Sequence, residues 1–111
     1  MRFKILVFAL IALASQACHR PGTIKVVNEI SGVRMENIHW GEFALSGSLL
    51  PGQSTSELTI RRTDQKLPAD LRITFELSAN GNTVALRTAE AYRLEPNDDL
   101  VVVIDDETLV E

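Results

Sequence analysis

Cysteine occurs once in the 111-residue chain, at Cys18, and histidine twice, at His19 and His39. A lone thiol cannot close an internal disulfide. So small a supply of thiol and imidazole also gives zinc no ligand set. Glycine is scattered singly, at positions 22, 32, 41, 47, 52 and 81, so no phosphate-cradling or dinucleotide loop is formed. The segment around His39, Glu36-Asn37-Ile38-His39-Trp40-Gly41-Glu42, holds no nucleophile, and no nucleophile-elbow motif occurs. His39 therefore reads as a strand residue beside Trp40, and no catalytic residue is assigned. Positive charge is in deficit, with 11 Lys and Arg against 15 Asp and Glu, which argues against nucleic acid as a partner. Finally, no apolar run approaches the roughly 20 residues that a membrane-spanning helix needs. The longest, Ile5–Ala14, holds ten.

That run sits behind Arg2 and Lys4 and ahead of the small or polar Ser15, Gln16 and Ala17. A cationic start, a short apolar stretch and a small-residue end are the three parts of a secretory signal. The stretch Ser15-Gln16-Ala17-Cys18 resembles the lipobox of bacterial lipoproteins, with Ser15 and Gln16 standing where that family most often has Leu and a smaller residue. The resemblance implies that Cys18 carries a diacylglyceryl group and that the chain is cut between Ala17 and Cys18. Residues 1–17 would then be a lipoprotein signal peptide. Ordinary secretory cleavage at the same place is the alternative, and it would leave an exported free thiol. Thioether formation consumes that thiol. Acyl chains contribute roughly 0.8 kcal/mol per buried methylene, and two or more chains anchor stably. The family's sorting habits imply a location as well. His19 is not the Asp that holds similar proteins at an inner membrane, and no acidic run follows Cys18. The expected site is the bacterial cell envelope, at the outer membrane facing the periplasm.

Loss of residues 1–17 removes Arg2 and Lys4 but no acid, leaving 9 basic against 15 acidic residues, a net charge of −6. Residues 18–22, Cys18-His19-Arg20-Pro21-Gly22, read as a short lipidated tether, and residues 23–111 as one domain. In that domain apolar side chains alternate with polar ones at Ile24/Val26, Leu58/Ile60, Leu71/Ile73/Phe75/Leu77, Val84/Leu86 and Tyr92/Leu94. Such alternation predicts strands with one buried face. Leu100–Ile104 is apolar throughout and is expected to be covered on both faces. Asn80-Gly81 supplies the positive φ angles of a tight hairpin. Ser31-Gly32, Pro51-Gly52 and Pro96-Asn97-Asp98-Asp99 separate the other runs. Helix signals are confined to Leu67–Leu71 and Thr88–Tyr92, and both are short.

About seven short strands at this spacing predict an all-β, immunoglobulin-like β-sandwich, with Trp40 as a core anchor between its sheets. The stretch Ser48–Ile60, SLLPGQSTSELTI, resembles the Leu-Pro-Gly turn and following strand of bacterial immunoglobulin-like modules. The stretch Phe75–Val110 is similar to the C-terminal hairpins of small lipoproteins of the Bacteroidota type, most of which have no assigned activity.

Acidic residues flank the last apolar run, Asp98-Asp99 before it and Asp105-Asp106-Glu107 after it. A five-residue strand spans roughly 17 Å, which places the two groups too far apart to share one ion. Each group alone could join other loop oxygens around calcium, but acidic turns that keep strand ends soluble are the simpler account, and no metal and no cofactor are assigned. The function expected is that of a non-enzymatic, membrane-anchored envelope lipoprotein acting through protein contacts. Its partners would be the lipid bilayer, through acylated Cys18, and an envelope protein. A glycan or small-ligand module is one alternative, and it needs an exposed aromatic such as Trp40, Phe43, Phe75 or Tyr92. A secretion pilotin or assembly factor is another, and it needs an unpaired edge strand that offers β-augmentation.

Overall fold

The computed structural model describes residues 20–61 and 63–111. Ala17 and Cys18, and with them the expected cleavage and lipidation site, lie outside the described residues. The rest is all-β, with no helix among the described residues. Seven strands run in order: β1 (Gly22–Glu29), β2 (Arg34–Trp40), β3 (Phe43–Leu45), β4 (Leu58–Ile60), β5 (Ala69–Ala79), β6 (Asn82–Leu94) and β7 (Asp99–Asp105). One sheet has the order β4-β1-β7 and the other β3-β2-β5-β6. All pairings are antiparallel except β1 with β7, which run parallel from Thr23↔Asp99 to Glu29↔Asp105.

The sandwich expected from the alternating sequence is thus the architecture observed. Its strand order is its own. In the immunoglobulin constant-type sandwich the first two strands share a sheet, whereas here β1 and β2 lie in opposite sheets. Between the sheets lies a core of Ile24, Val26, Met35, Ile38, Trp40, Leu45, Ile60, Ile73, Phe75, Leu94, Val102 and Ile104. Trp40 is fully buried and stacks on Phe43 with ring centroids 5.9 Å apart. Its indole N–H donates to the Tyr92 carbonyl at 3.1 Å, which satisfies the one polar atom the ring brings into the core. Gly41 makes the β2–β3 turn at φ 59°, where a Cβ would meet Leu71 Cδ1 at 2.6 Å. Asn80 and Gly81, at φ 52° and 80°, close the β5–β6 hairpin as the sequence predicts.

Several expectations change. Tyr92–Leu94 is not a separate strand but the end of β6. The helix signal at Thr88–Tyr92 is overridden, because that segment pairs with β5 through Arg72↔Ala91 and Leu71↔Tyr92. The short strand β3 carries too few residues to show a pattern. The largest correction concerns Leu100–Ile104. Its inner side chains Val102 and Ile104 are buried, but Val101 and Val103 are 49% and 48% exposed. No second layer covers that face among the described residues, so a continuous apolar run does not mark a strand buried on both sides here. Val84 also departs: it shares a face with Leu86 but sits near the hairpin tip and is 53% exposed.

Three polar side chains are buried, Asn28, Thr55 and Thr88, and each replaces a backbone partner where a ladder breaks. Between Arg72↔Ala91 and Thr74↔Arg87, β6 spends three residues opposite one of β5. Thr88 Oγ1 fills the gap, accepting from the Ile73 N–H at 3.1 Å and donating to the Glu90 carbonyl at 2.8 Å. Along β1, Thr55 Oγ1 accepts the Val26 N–H at 3.0 Å while the Thr55 N–H returns to the Val26 carbonyl at 2.9 Å. A buried amide left unpaired costs about 1–3 kcal/mol. Thr88→Val keeps the shape and strands the Ile73 N–H and Glu90 C=O. It should lower the unfolding free energy in urea by about 1–3 kcal/mol. Thr88→Ser should lose about 1 kcal/mol, for the missing methyl alone. A Val variant as stable as the native chain would refute this role for the hydroxyl.

Candidate functional site

Of the residues singled out in sequence, Trp40 is fully buried and Phe75 2% exposed, while Phe43 and Tyr92 pack partly buried against the core. Of the four, Phe43 and Tyr92 keep part of their surface exposed, and Tyr92 lines a cleft. His39 lies on the outer face of the four-stranded sheet, paired across to Ala44 and Thr74. Its Nδ1 is 3.3 Å from the Asn37 carbonyl. The hollow beside it, about 580 Å³, is lined by Asn37, Thr74, Glu76 and Arg87, with Glu111 at its rim. Two of the charges there, Arg87 and Glu111, are paired with each other. Glu111 takes Arg87 at 2.6 Å and Arg72 at 3.2 Å, and the hydrogen bond from Arg87 holds its carboxyl below the usual glutamate range. The hydroxyl residue across from His39 is Thr74.

The acidic groups at the two ends of β7 stand where the sequence places them. Asp99 and Asp105 are the first and last residues of the strand. No cluster of His, Cys, Asp or Glu among the described residues is arranged to hold a metal ion. Their side chains cap backbone instead. Asp98 Oδ1 accepts the Asp99 N–H at 3.0 Å, and Asp105 Oδ1 accepts the Glu107 N–H at 3.0 Å. Asp106 accepts from the Ser31 N–H and hydroxyl at 3.1 and 3.0 Å, which closes the turn after β1. No Lys or Arg lies within ion-pair distance of Asp98, Asp99, Asp105, Asp106 or Glu107 among the described residues.

What the sequence does not disclose is the position of β7 in its sheet. It pairs with β1 alone, so one of its edges is free. The other three sheet edges are blunted along at least part of their length. Beside β1, the segment through Thr55 is bulged ahead of the short β4, and β3 is three residues long. The β6 edge is bulged at Thr88 and covered by Leu109–Glu111, through Ala89 N–H to Leu109 C=O at 2.9 Å and Glu111 N–H to Arg87 C=O at 2.7 Å. Beside the end of β7, between it and β6, a cleft of about 330 Å³ is lined by Glu90, Tyr92, Asp105, Glu107, Thr108 and Leu109. Three carboxylates and a phenol share it without a cation. Burial first, then Glu90 and Asp105, push the Tyr92 hydroxyl above the usual tyrosine range. No family model, curated protein or solved structure matches the chain, so the candidate site is read from its own geometry.

Tyr92 is the one tyrosine of the chain, so its phenolate absorbance reports this cleft alone. A hydroxyl whose folded pKa is raised contributes stability below its unfolded pKa and loses it as pH rises through the folded value. The absorbance midpoint should therefore lie above that of a tyrosine model peptide. Glu90→Gln should bring it down, and alkaline unfolding should shift to higher pH. A midpoint unmoved by Glu90→Gln would contradict the electrostatic account of the cleft.

Proposed function

We propose that the chain is a non-enzymatic lipoprotein of a bacterial envelope. Acyl chains on Cys18 hold it at a membrane, the outer membrane facing the periplasm, and the β-sandwich acts there through protein contacts. The observation that carries this reading is the placement of the single cysteine. Cys18 follows directly on a cationic, then apolar, then small-residue leader ending at Ala17, which is where a lipoprotein needs it. An exported protein with one thiol elsewhere would be left with an unpaired nucleophile. The tether is compatible with the anchor. β1 starts at Gly22, four residues past Cys18, so the sandwich would stand against the bilayer surface. Packing of Trp40 and Phe75 into the core removes two of the four aromatics that the glycan or small-ligand alternative could use.

Intact-mass measurement of protein extracted from the producing cell tests the anchor. The expected species begins at Cys18 and carries the mass of a diacylglyceryl group. Cys18→Ser should move the protein from the membrane to the soluble fraction. A mature chain with an unmodified Cys18, or a Cys18→Ser variant still held by the membrane, would refute it.

A further inference from the structure

The free edge of β7 is open only over its centre. Thr23 donates its N–H to the Asp98 carbonyl at 2.8 Å while lying opposite Asp99. In a parallel ladder each residue bonds the residues before and after its partner. Thr23, Lys25 and Val27 therefore bond Asp98, Leu100, Val102 and Ile104. The N–H and C=O groups of Asp99, Val101, Val103 and Asp105 turn to the free side. The two ends of that side are capped, Asp99 N–H by Asp98 Oδ1 at 3.0 Å and Asp105 N–H by Thr108 Oγ1 at 2.9 Å. Nothing among the described residues bonds the outward groups of Val101 and Val103. Their side chains are also half exposed on the outer face, beside Val27 and Lys25 of β1. This edge is neither bulged nor covered among the described residues, and native sheets rarely leave such an edge without a use.

Charge decides what fits it. A second copy pairing antiparallel about Val102 would set Asp99 opposite the other copy's Asp105 at both ends, and like charges directly opposite are destabilising. The same acids, with Glu107 and Glu90 in the adjoining cleft, favour a cationic occupant. We propose that the β7 edge receives an extended segment of a partner protein as an added strand, with β-branched residues at its centre and Lys or Arg at both ends. Main-chain bonds to Val101 and Val103 hold it, its outward side chains extend the valine surface, and its basic ends meet Asp98-Asp99 and Asp105-Glu107. This rests on the reading that the domain works through protein contacts, and it names the surface and the chemistry of the contact.

The test uses the full chain in detergent and a synthetic peptide of about ten residues, long enough to span the strand, with alternating Val and Thr between terminal lysines. Binding should slow hydrogen exchange at the Val101 and Val103 amides, and the same peptide with terminal glutamates should not bind. Val103→Pro removes an edge N–H without touching the β1 ladder and should weaken binding at least about tenfold. Should that variant unfold, Val101→Lys/Val103→Lys keeps every backbone donor and should reject the lysine-ended peptide. Glu90→Gln/Glu107→Gln should weaken binding roughly threefold to tenfold and flatten its salt dependence. Equal binding of both peptides, protection at another strand, or self-association of the chain through β7 would overturn the proposal. The readout needs no bilayer, so it can fail while Cys18 acylation stands and succeed where acylation fails.

Discussion

The fold turns on Asn28. Its side chain is fully buried at the end of β1, and every polar atom it brings inside is engaged. The amide group donates to the Val33 carbonyl at 3.1 Å and the Leu49 carbonyl at 2.9 Å, while its oxygen accepts the Ile30 N–H at 3.0 Å. Those three contacts join the last residues of β1, the turn by which the chain changes sheets, and the strand-like stretch at Leu49. Leu49 exchanges backbone bonds with Met35 of β2. One amide thus fixes the distance and angle between the two sheets at the corner where they connect. A hydrophobic residue of similar size would fill the space but leave the turn's carbonyls and amide without partners, and that desolvation is the costly part.

The two buried threonines extend the same principle. A sandwich whose strands must bend around a small core cannot keep every ladder in register, so residues are inserted and backbone groups lose their partners. Thr55 and Thr88 return those partners from side chains. With Asn28 they account for all the buried polar residues described, and no buried side-chain polar atom is left unsatisfied. Irregularity in this molecule is therefore local and compensated. The regular element, by contrast, is the β1–β7 ladder, seven residues in unbroken parallel register. The strand with the unbroken register, β7, lies at an edge of its sheet, which is why that edge is available.

Much of this was legible in the sequence wherever the signal was short-range. Asn80-Gly81 dictates a hairpin without reference to anything distant, and Ile73/Phe75 alternate with Arg72/Thr74/Glu76 because one face of β5 meets the core. Legibility ends where a residue's role depends on its neighbour strand. Thr88 looks like a helix or turn residue until β5 lies beside it and Ile73 needs an acceptor. Val101 and Val103 look buried because the run from Leu100 to Ile104 is apolar. Whether a second layer covers them is a matter of topology, which no local window contains. The acids at positions 98–99 and 105–107 were placed correctly at the two ends of one strand. That the strand is an open edge, and that Glu90 and Tyr92 from β6 complete a cleft beside it, emerges only from the tertiary fold. The leader around Cys18 is the opposite case: its whole meaning is in the local order of residues.

The pairing of the first strand with the last has a kinetic consequence. Thr23 and Asp99 are separated by most of the domain, and they pair without a hairpin of their own. Loop-closure entropy must be overcome before that contact gives anything back. β1 otherwise pairs only with the short β4 and the bulged segment before it, so its sheet is not complete until residues 99–105 have been made and delivered. The chain is in this sense self-delaying. Its four-stranded sheet, which holds neither partner, can pair earlier, but the sandwich closes only when the final strand arrives.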